Sequence, residues 1–227
     1  MSIAENIDLV KANLPAQVQL IAVSKTKPVE MLVEAYRHGQ RAFGENKVQE
    51  LAGKFEALPK DIEWHFIGHM QTNKVKYIAP FIHLIHGVDS FKLLKTINTE
   101  AKKIDRIIPC LLQFHIAEEE TKFGFSLAEV EEMLKSDEFK LLENIEISGV
   151  MGMATYTDDE NQIHKEFACL KTYFDKLKSD YFANEPKFKE ISMGMSGDYR
   201  IAVEEGSTMV RIGSTIFGER NYNSETL

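Results

Sequence analysis

The feature that most constrains this chain is an alternation that repeats from end to end. Short apolar runs are each followed by a longer segment of helical period. The runs fall at residues 19–24, 41–44, 63–67, 82–85, 107–114, 145–150, 189–192 and 208–212. Helices are expected over 3–14, after Lys27 with Pro28 in the first turn, from Asn46, over 72–78 and after Ser90. Further helices are expected from Ser126, over 161–181, over 198–204 and at Ser214. Strands that alternate with helices imply βαβ units and a parallel sheet. About eight such units predict an α/β fold, a (β/α)8 TIM barrel with an extra N-terminal helix. A doubly wound open sheet competes, but no Gly-x-Gly-x-x-Gly follows the first run. No Pro/Gly/Ser linker interrupts the pattern, so one domain over residues 1–227 is expected.

Bulk properties remove several function classes. The 227 residues carry a net charge of -8, which argues against a general nucleic-acid binder because that needs a basic face. No apolar run approaches the roughly 20 residues that span a bilayer. The N-terminus mixes acidic residues into an amphipathic period, unlike a signal peptide. Cys110 and Cys169 lie in apolar or helical surroundings and are expected to be reduced, buried thiols. Together these features point to a cytoplasmic protein with no membrane association.

In such barrels function sits at the C-terminal ends of the strands. Ser196-Gly197 and Gly213-Ser214 fall there, after the seventh and eighth runs. Each pairs a small residue with a hydroxyl just before an expected helix N-terminus, where free N–H groups favour an anion. Read blandly, they are turn residues and caps; read functionally, they form a phosphate site. Lys25 follows the first run at the mouth, and a desolvated lysine is a nucleophilic amine that attacks aldehydes. Lys27 is an equal candidate by composition. Arg211 interrupts an apolar run and needs a partner if buried. It either pairs with Glu45, Glu204 or Glu205, or faces a bound ligand. An aldehyde-binding lysine, a phosphate nest and an arginine near a ring nitrogen together describe pyridoxal 5'-phosphate binding.

Metal chemistry has less support. His65 with His69, and His83 with His86, are the candidate pairs. Three-residue spacing in a strand puts the second pair on opposite faces, and no Cys-x-x-Cys or His-Glu-x-x-His accompanies either. Glu118 to Glu120 reads as a solvated loop and the methionines as core fillers. No metal site is expected.

Several long motifs carry a resemblance. Ala22-Val-Ser-Lys-Thr-Lys-Pro28, Phe43-Gly-Glu-Asn46, Trp64-His-Phe-Ile-Gly-His-Met-Gln-Thr-Asn-Lys74, Gly194-Met-Ser196 and Gly206-Ser-Thr-Met-Val-Arg-Ile-Gly213 resemble the pyridoxal phosphate homeostasis protein family, also called the YggS/PROSC family. The match runs from about Gln19 to Tyr222. It implies a barrel like the N-terminal domain of alanine racemase. It implies that Lys25 forms the internal aldimine, that Ser196, Gly213 and Ser214 surround the phosphate, and that Arg211 lies beside the pyridine nitrogen. Asn46 and Met153 would line the ring pocket. The family often carries an acidic residue where Gly197 stands, Thr where Ser214 stands and Pro where His69 stands.

The family has no established reaction; it is associated with vitamin B6 homeostasis. An arginine beside the pyridine nitrogen keeps that atom unprotonated and weakens the ring as an electron sink. The racemases of similar fold take a catalytic tyrosine from a C-terminal β-domain, which is not expected here because the chain stops after the eighth unit. A cofactor carrier is therefore expected, not an enzyme. It would be a monomer, with pyridoxal phosphate-dependent acceptor enzymes as partner class. The alternative is a fold-type III amino-acid racemase with Tyr156 or Tyr199 as second acid/base. Lys27 and Lys74 are positions at which a second, non-covalent cofactor would rest.

Overall fold

The structure, a computed structural model, describes residues 1–118 and 123–219. Among them run β1 (Gln19–Val23), β2 (Ala42–Glu45), β3 (Glu63–Phe66), β4 (Leu84–Val88), β5 (Ile108–Gln113), β6 (Ile145–Met151), β7 (Glu190–Ser192) and β8 (Met209–Ile212). Each strand pairs in parallel with the next, and β8 closes on β1 with Ala22 opposite Ile212. This is the expected (β/α)8 barrel. The helices are α1 (Ile3–Ala12), α2 (Val29–Arg37), α3 (Val48–Ala57), α4 (Val75–Ile78) and α5 (Phe91–Lys102). They continue as α6 (Leu127–Lys135), α7 (Asp137–Lys140), α8 (Glu160–Asp180), α9 (Tyr199–Glu204) and α10 (Ser214–Phe217). The extra N-terminal helix is α1. Its Ser2 and Glu5 form a capping box, and Asn6 Nδ2 donates to Ile216 O of α10 at 3.0 Å. The first element is thus fastened to the last.

Two cores follow from strand alternation. Outward residues such as Ala22, Phe43, Ile85 and Val210 pack under the helices. Inward residues Ile21, Ala42, Leu84, Leu111, Met151 and Met209 fill the barrel. β3 and β7 add polar residues to the interior, His65 and Ser192, both with no exposed surface. One close approach fixes the β6–β7 seam. Gly149 has φ 153°, and a Cβ there would lie 1.9 Å from Glu190 O, so only glycine lets β7 come this near.

Several details differ from the sequence reading. Pro28 caps α2 from outside rather than lying in its first turn. β4 starts two residues later than expected and runs through His86 and Gly87 to Val88. Helix α7 has no counterpart in the apolar periodicity; Ser136 ends α6 and caps α7 through its hydroxyl. Cys110 and Cys169 are free, Cys110 buried as expected but Cys169 only half-buried. No described helix is long and apolar enough to cross a membrane. Glu119, Glu120 and Tyr222 lie outside the described residues.

Candidate functional site

The C-terminal mouth of the barrel is built from the first turn after each strand. On β1, Ile21 and Val23 face inward, and Lys25 falls at the next position of that face, half-buried. The chain then turns sharply. Lys27 N–H closes the turn on Ser24 O at 3.0 Å, and Thr26 holds φ 64°. A β-branched residue rarely adopts this left-handed geometry, so it needs support. Thr26 N–H donates to Glu50 Oε1 at 2.6 Å, and Lys54 Nζ donates to Ser24 O at 2.7 Å. The turn separates the two lysines. Lys27 Nζ donates to Gly218 O at 2.9 Å and Glu219 O at 2.7 Å, beyond the end of α10.

Beneath this turn is a buried charge cluster. Glu45 Oε1 accepts from Ser24 Oγ at 2.6 Å and from Lys54 Nζ at 2.7 Å. Glu45 Oε2 is buried without a partner. Burial raises the Glu45 pKa despite the Lys54 ammonium, because desolvation of the carboxylate outweighs that single ion pair. This cluster, which the sequence reading missed, ties β1, β2 and α3 together under Lys25. A Glu-Asn pair at a strand end followed by Lys54 on one helix face was its only trace.

The loops after β7 and β8 meet as expected. Ser196 Oγ accepts from Gly213 N–H at 3.3 Å. Among the described residues, the N–H groups of Ser196, Gly197, Ser214 and Thr215 donate to no protein acceptor. Gly194, at φ 94°, lets this loop press on α9, since a Cβ there would lie 2.6 Å from Ala202 Cβ. A Cβ at Gly197 would meet nothing within 4 Å, so the family's acidic residue would fit there unopposed. Gly213 lies against β1, where a Cβ would be 3.1 Å from Val23 O. Register therefore sets the start of α10 beside Lys25. A cavity of about 440 Å³ lies on the helix side of these loops, lined by Ser196, Gly197, Tyr199 and Thr215 against Val10 of α1 and its C-cap Asn13. Lys25, Asn46, Met153 and Arg211 do not line it, so it is not where those residues converge.

Arg211 faces the barrel interior, 3 % exposed. Its Nη1 donates to Ser192 Oγ at 2.7 Å and its Nη2 to Gly152 O at 3.1 Å. Burial lowers its pKa to about 10, which still leaves it a cation at neutral pH. None of the expected carboxylates pairs with it: Glu45 holds Lys54, while Glu204 and Glu205 hold His164. Ser192 Oγ also meets His86 Nδ1 at 2.8 Å, and His86 Nε2 meets His65 Nδ1 at 2.9 Å. A line of hydrogen bonds thus crosses the barrel from β3 to β8. Burial lowers the His65 pKa to about 3 and holds His86 well below its usual range, so both rings are neutral.

Asn46 follows β2 on the inward register and is half-buried; Met153 packs on the interior cluster. His69 is exposed at the rim, with Nδ1 2.8 Å from Asp89 Oδ2 and its ring stacked on Phe123. Tyr156 is 99 % exposed, whereas Tyr199 is buried with its hydroxyl accepting from Arg200 Nε at 3.5 Å. Lys74 Nζ lies 5.7 Å from the centroid of the Tyr77 ring. The histidine pairs considered in the sequence are not those the fold unites: His65 meets His86 and His83 instead.

Comparison with known proteins agrees with this architecture. The alanine racemase N-terminal domain family matches residues 1–221. The pyridoxal phosphate homeostasis protein of Vibrio alginolyticus is 42% identical over 215 residues, 92% of this chain and 89% of that protein. The human protein of the same name is 40% identical over 226 residues, 94% of this chain and 81% of that one. PipY of Synechococcus elongatus, solved with PLP bound, superposes with a TM-score of 0.86 at 34% identity, covering 96% of this chain and 100% of that one. An alanine racemase of Clostridium difficile gives a TM-score of 0.80 at 17% identity, covering 99% of this chain and 58% of that one, and shares the fold alone. The chain belongs to the pyridoxal phosphate homeostasis protein family, built on the barrel of the alanine racemase N-terminal domain.

Proposed function

We propose that this chain binds pyridoxal 5'-phosphate at the C-terminal mouth and serves its homeostasis as a carrier, not as a catalyst. One observation carries the reading: the inward-facing Lys25 adjoins, through the Val23–Gly213 contact, a cradle of N–H groups that lack protein acceptors. The fit is chemical as well as spatial. A phosphate needs convergent donors, and Ser196, Gly213 and Ser214 would supply them with the α10 N-terminus. Lys25 would hold the aldehyde carbon through its amine. The Ser24–Glu45–Lys54 cluster holds the turn that aims it. Asn46 and Met153 would flank the ring. Bound there, the group would contribute an electrophilic aldehyde and an electron-withdrawing pyridine.

Arg211 supports holding over catalysing. A guanidinium that stays charged donates hydrogen bonds but gives up no proton. Facing the pyridine nitrogen, it would leave that atom unprotonated and the ring a weak electron sink. The full exposure of Tyr156 also fits poorly with a buried second acid/base. The carrier reading implies cofactor-requiring enzymes as acceptors. It also implies a monomer, which sedimentation of the loaded chain tests.

The deciding experiment is titration with pyridoxal 5'-phosphate followed by borohydride and intact-mass analysis. Wild type and Lys27→Ala are expected to gain one phosphopyridoxyl group and a band near the visible edge. Lys25→Ala is expected to gain neither. Labelling that survives Lys25→Ala would overturn the assignment. Catalytic exchange of the α-hydrogen of amino acids in deuterated water would overturn the carrier reading while leaving the site intact.

A further inference from the structure

The floor of the barrel, opposite the mouth, holds a polar cluster that the proposed carrier function does not use. Glu63 opens β3, His65 lies two residues along it, and His83 stands just ahead of β4. One ligand atom from each lies within 4.8 Å of the other two, and among the described residues no other such group of three converges. His65 is fully buried. Its Nδ1 is engaged with His86 Nε2, and its Nε2 is buried with no hydrogen-bond partner. Buried ring nitrogens are rarely left so, because the lost hydration is not recovered. His83 is exposed and its ring centroid lies 5.2 Å from that of His65, so the cluster opens to solvent. Gln19 Nε2 donates to Glu63 Oε2 at 3.4 Å and steadies the carboxylate.

We propose that Glu63, His65 and His83 bind one divalent transition-metal ion, of which zinc is the reference case. Two imidazoles and a carboxylate form a familiar three-ligand set that leaves a fourth position for water. The ligand type favours zinc, cobalt or nickel over magnesium or calcium, which prefer oxygen. Tetrahedral ligands at ~2.1 Å from zinc stand roughly 3.4 Å apart, so the atoms must draw in from their 4.8 Å envelope. The exposed His83 has the freedom to do so. The second shell is already in place. A ligating imidazole donates its other N–H to a neighbour, and His65 Nδ1 has His86 Nε2 in that position. With His65 donating, His86 carries its own proton on Nδ1 and donates to Ser192 Oγ, which accepts from Arg211 as well. His65 and His86 each keep one proton in this arrangement, and the Ser192 hydroxyl hydrogen turns off this line.

The test uses the full chain, stripped with chelator and titrated with zinc by calorimetry, then with cobalt(II) by absorption. One zinc per chain is expected, with a cobalt spectrum of tetrahedral intensity. His83→Ala and Glu63→Gln should each weaken zinc by roughly 10- to 100-fold or more. His164→Ala, at the surface pair with Glu205, should change nothing. His83 is exposed, so its removal leaves the fold intact and carries the test should Glu63→Gln fail to fold. The site is refuted by absence of stoichiometric zinc, or by zinc affinity that both variants leave unchanged. The readout needs no pyridoxal phosphate, so failure here is separate from failure of the cofactor assignment.

Discussion

At the residue scale, the choice between Lys25 and Lys27 shows what a sequence lacks. Both are lysines two positions apart at a strand end, and composition treats them alike. The fold separates them through Thr26, whose left-handed φ of 64° sends Lys27 to the end of α10. Such strain costs about 1–3 kcal/mol, whereas the entropic cost of glycine is about 0.5–1 kcal/mol. Thr26→Gly is therefore expected to raise the urea midpoint, against the usual effect of glycine. Lys54→Met should act the other way. It strands Glu45 as an uncompensated buried acid, and such losses run at about 3–5 kcal/mol. Glu45→Gln with Lys54→Met together should recover part of that loss in the same denaturation assay. Arg211 was legible as an inward-facing charge from the parity of Val210 and Ile212. Its partners were not, because Ser192 at the end of β7 and the Gly152 carbonyl just after β6 are brought to it only by the closed barrel.

At the scale of elements, the apolar runs located every strand, since outward residues under helices and inward residues in the barrel are both buried. At the C-terminal end of β4 a polar residue hid the boundary. The apolar run of β4 stops at Ile85 because His86-Gly87 follows, yet the strand continues, since His86 is satisfied inside the barrel by His65 and Ser192. The positions of the loops after β7 and β8 were legible because the barrel fixes them. The Ser24–Glu45–Lys54 cluster was not, since it joins two strands and a helix by contacts no local pattern encodes. Gly149→Ala tests the tightest seam. With a Cβ aimed 1.9 Å from Glu190 O, β7 must move, and a loss beyond about 3 kcal/mol is expected in equilibrium unfolding. Asn6→Ala tests the α1–α10 fastening. Its lost hydrogen bond should cost about 1 kcal/mol, and it should weaken pyridoxal phosphate through a looser α10. Equal affinity in that variant would show that α10 needs no clamp.

At the scale of the whole molecule, the interior histidines shape acid stability. In metal-free buffer His65 titrates near 3 and His86 well below 6.5, while both titrate near 6.5 when unfolded. Glu63, His83 and Arg211 face this pair; burial first and then the neighbouring His83 depress His65, while burial, then His65 and then Arg211 depress His86. Folded pKa values below the unfolded ones mean that the unfolded state binds more protons. Stability is therefore complete above about pH 6.5 and falls as pH drops toward 3. Each histidine contributes a slope approaching ~1.4 kcal/mol per pH unit below 6.5. Urea midpoints from pH 7 to 5 should show this decline, and His65→Gln should remove about half of its slope. The same line of hydrogen bonds has a second consequence, one of thermodynamic reciprocity. Ser192 has one hydroxyl hydrogen, so an occupant that orients the donors at the floor also sets what Arg211 meets at the other end. If zinc on the floor changes the affinity for pyridoxal phosphate at the mouth by some factor, pyridoxal phosphate must change the affinity for zinc by that same factor. Two titrations, each ligand with and without the other, read the coupling independently. Exchanging Ser192 for alanine should bring both factors toward one.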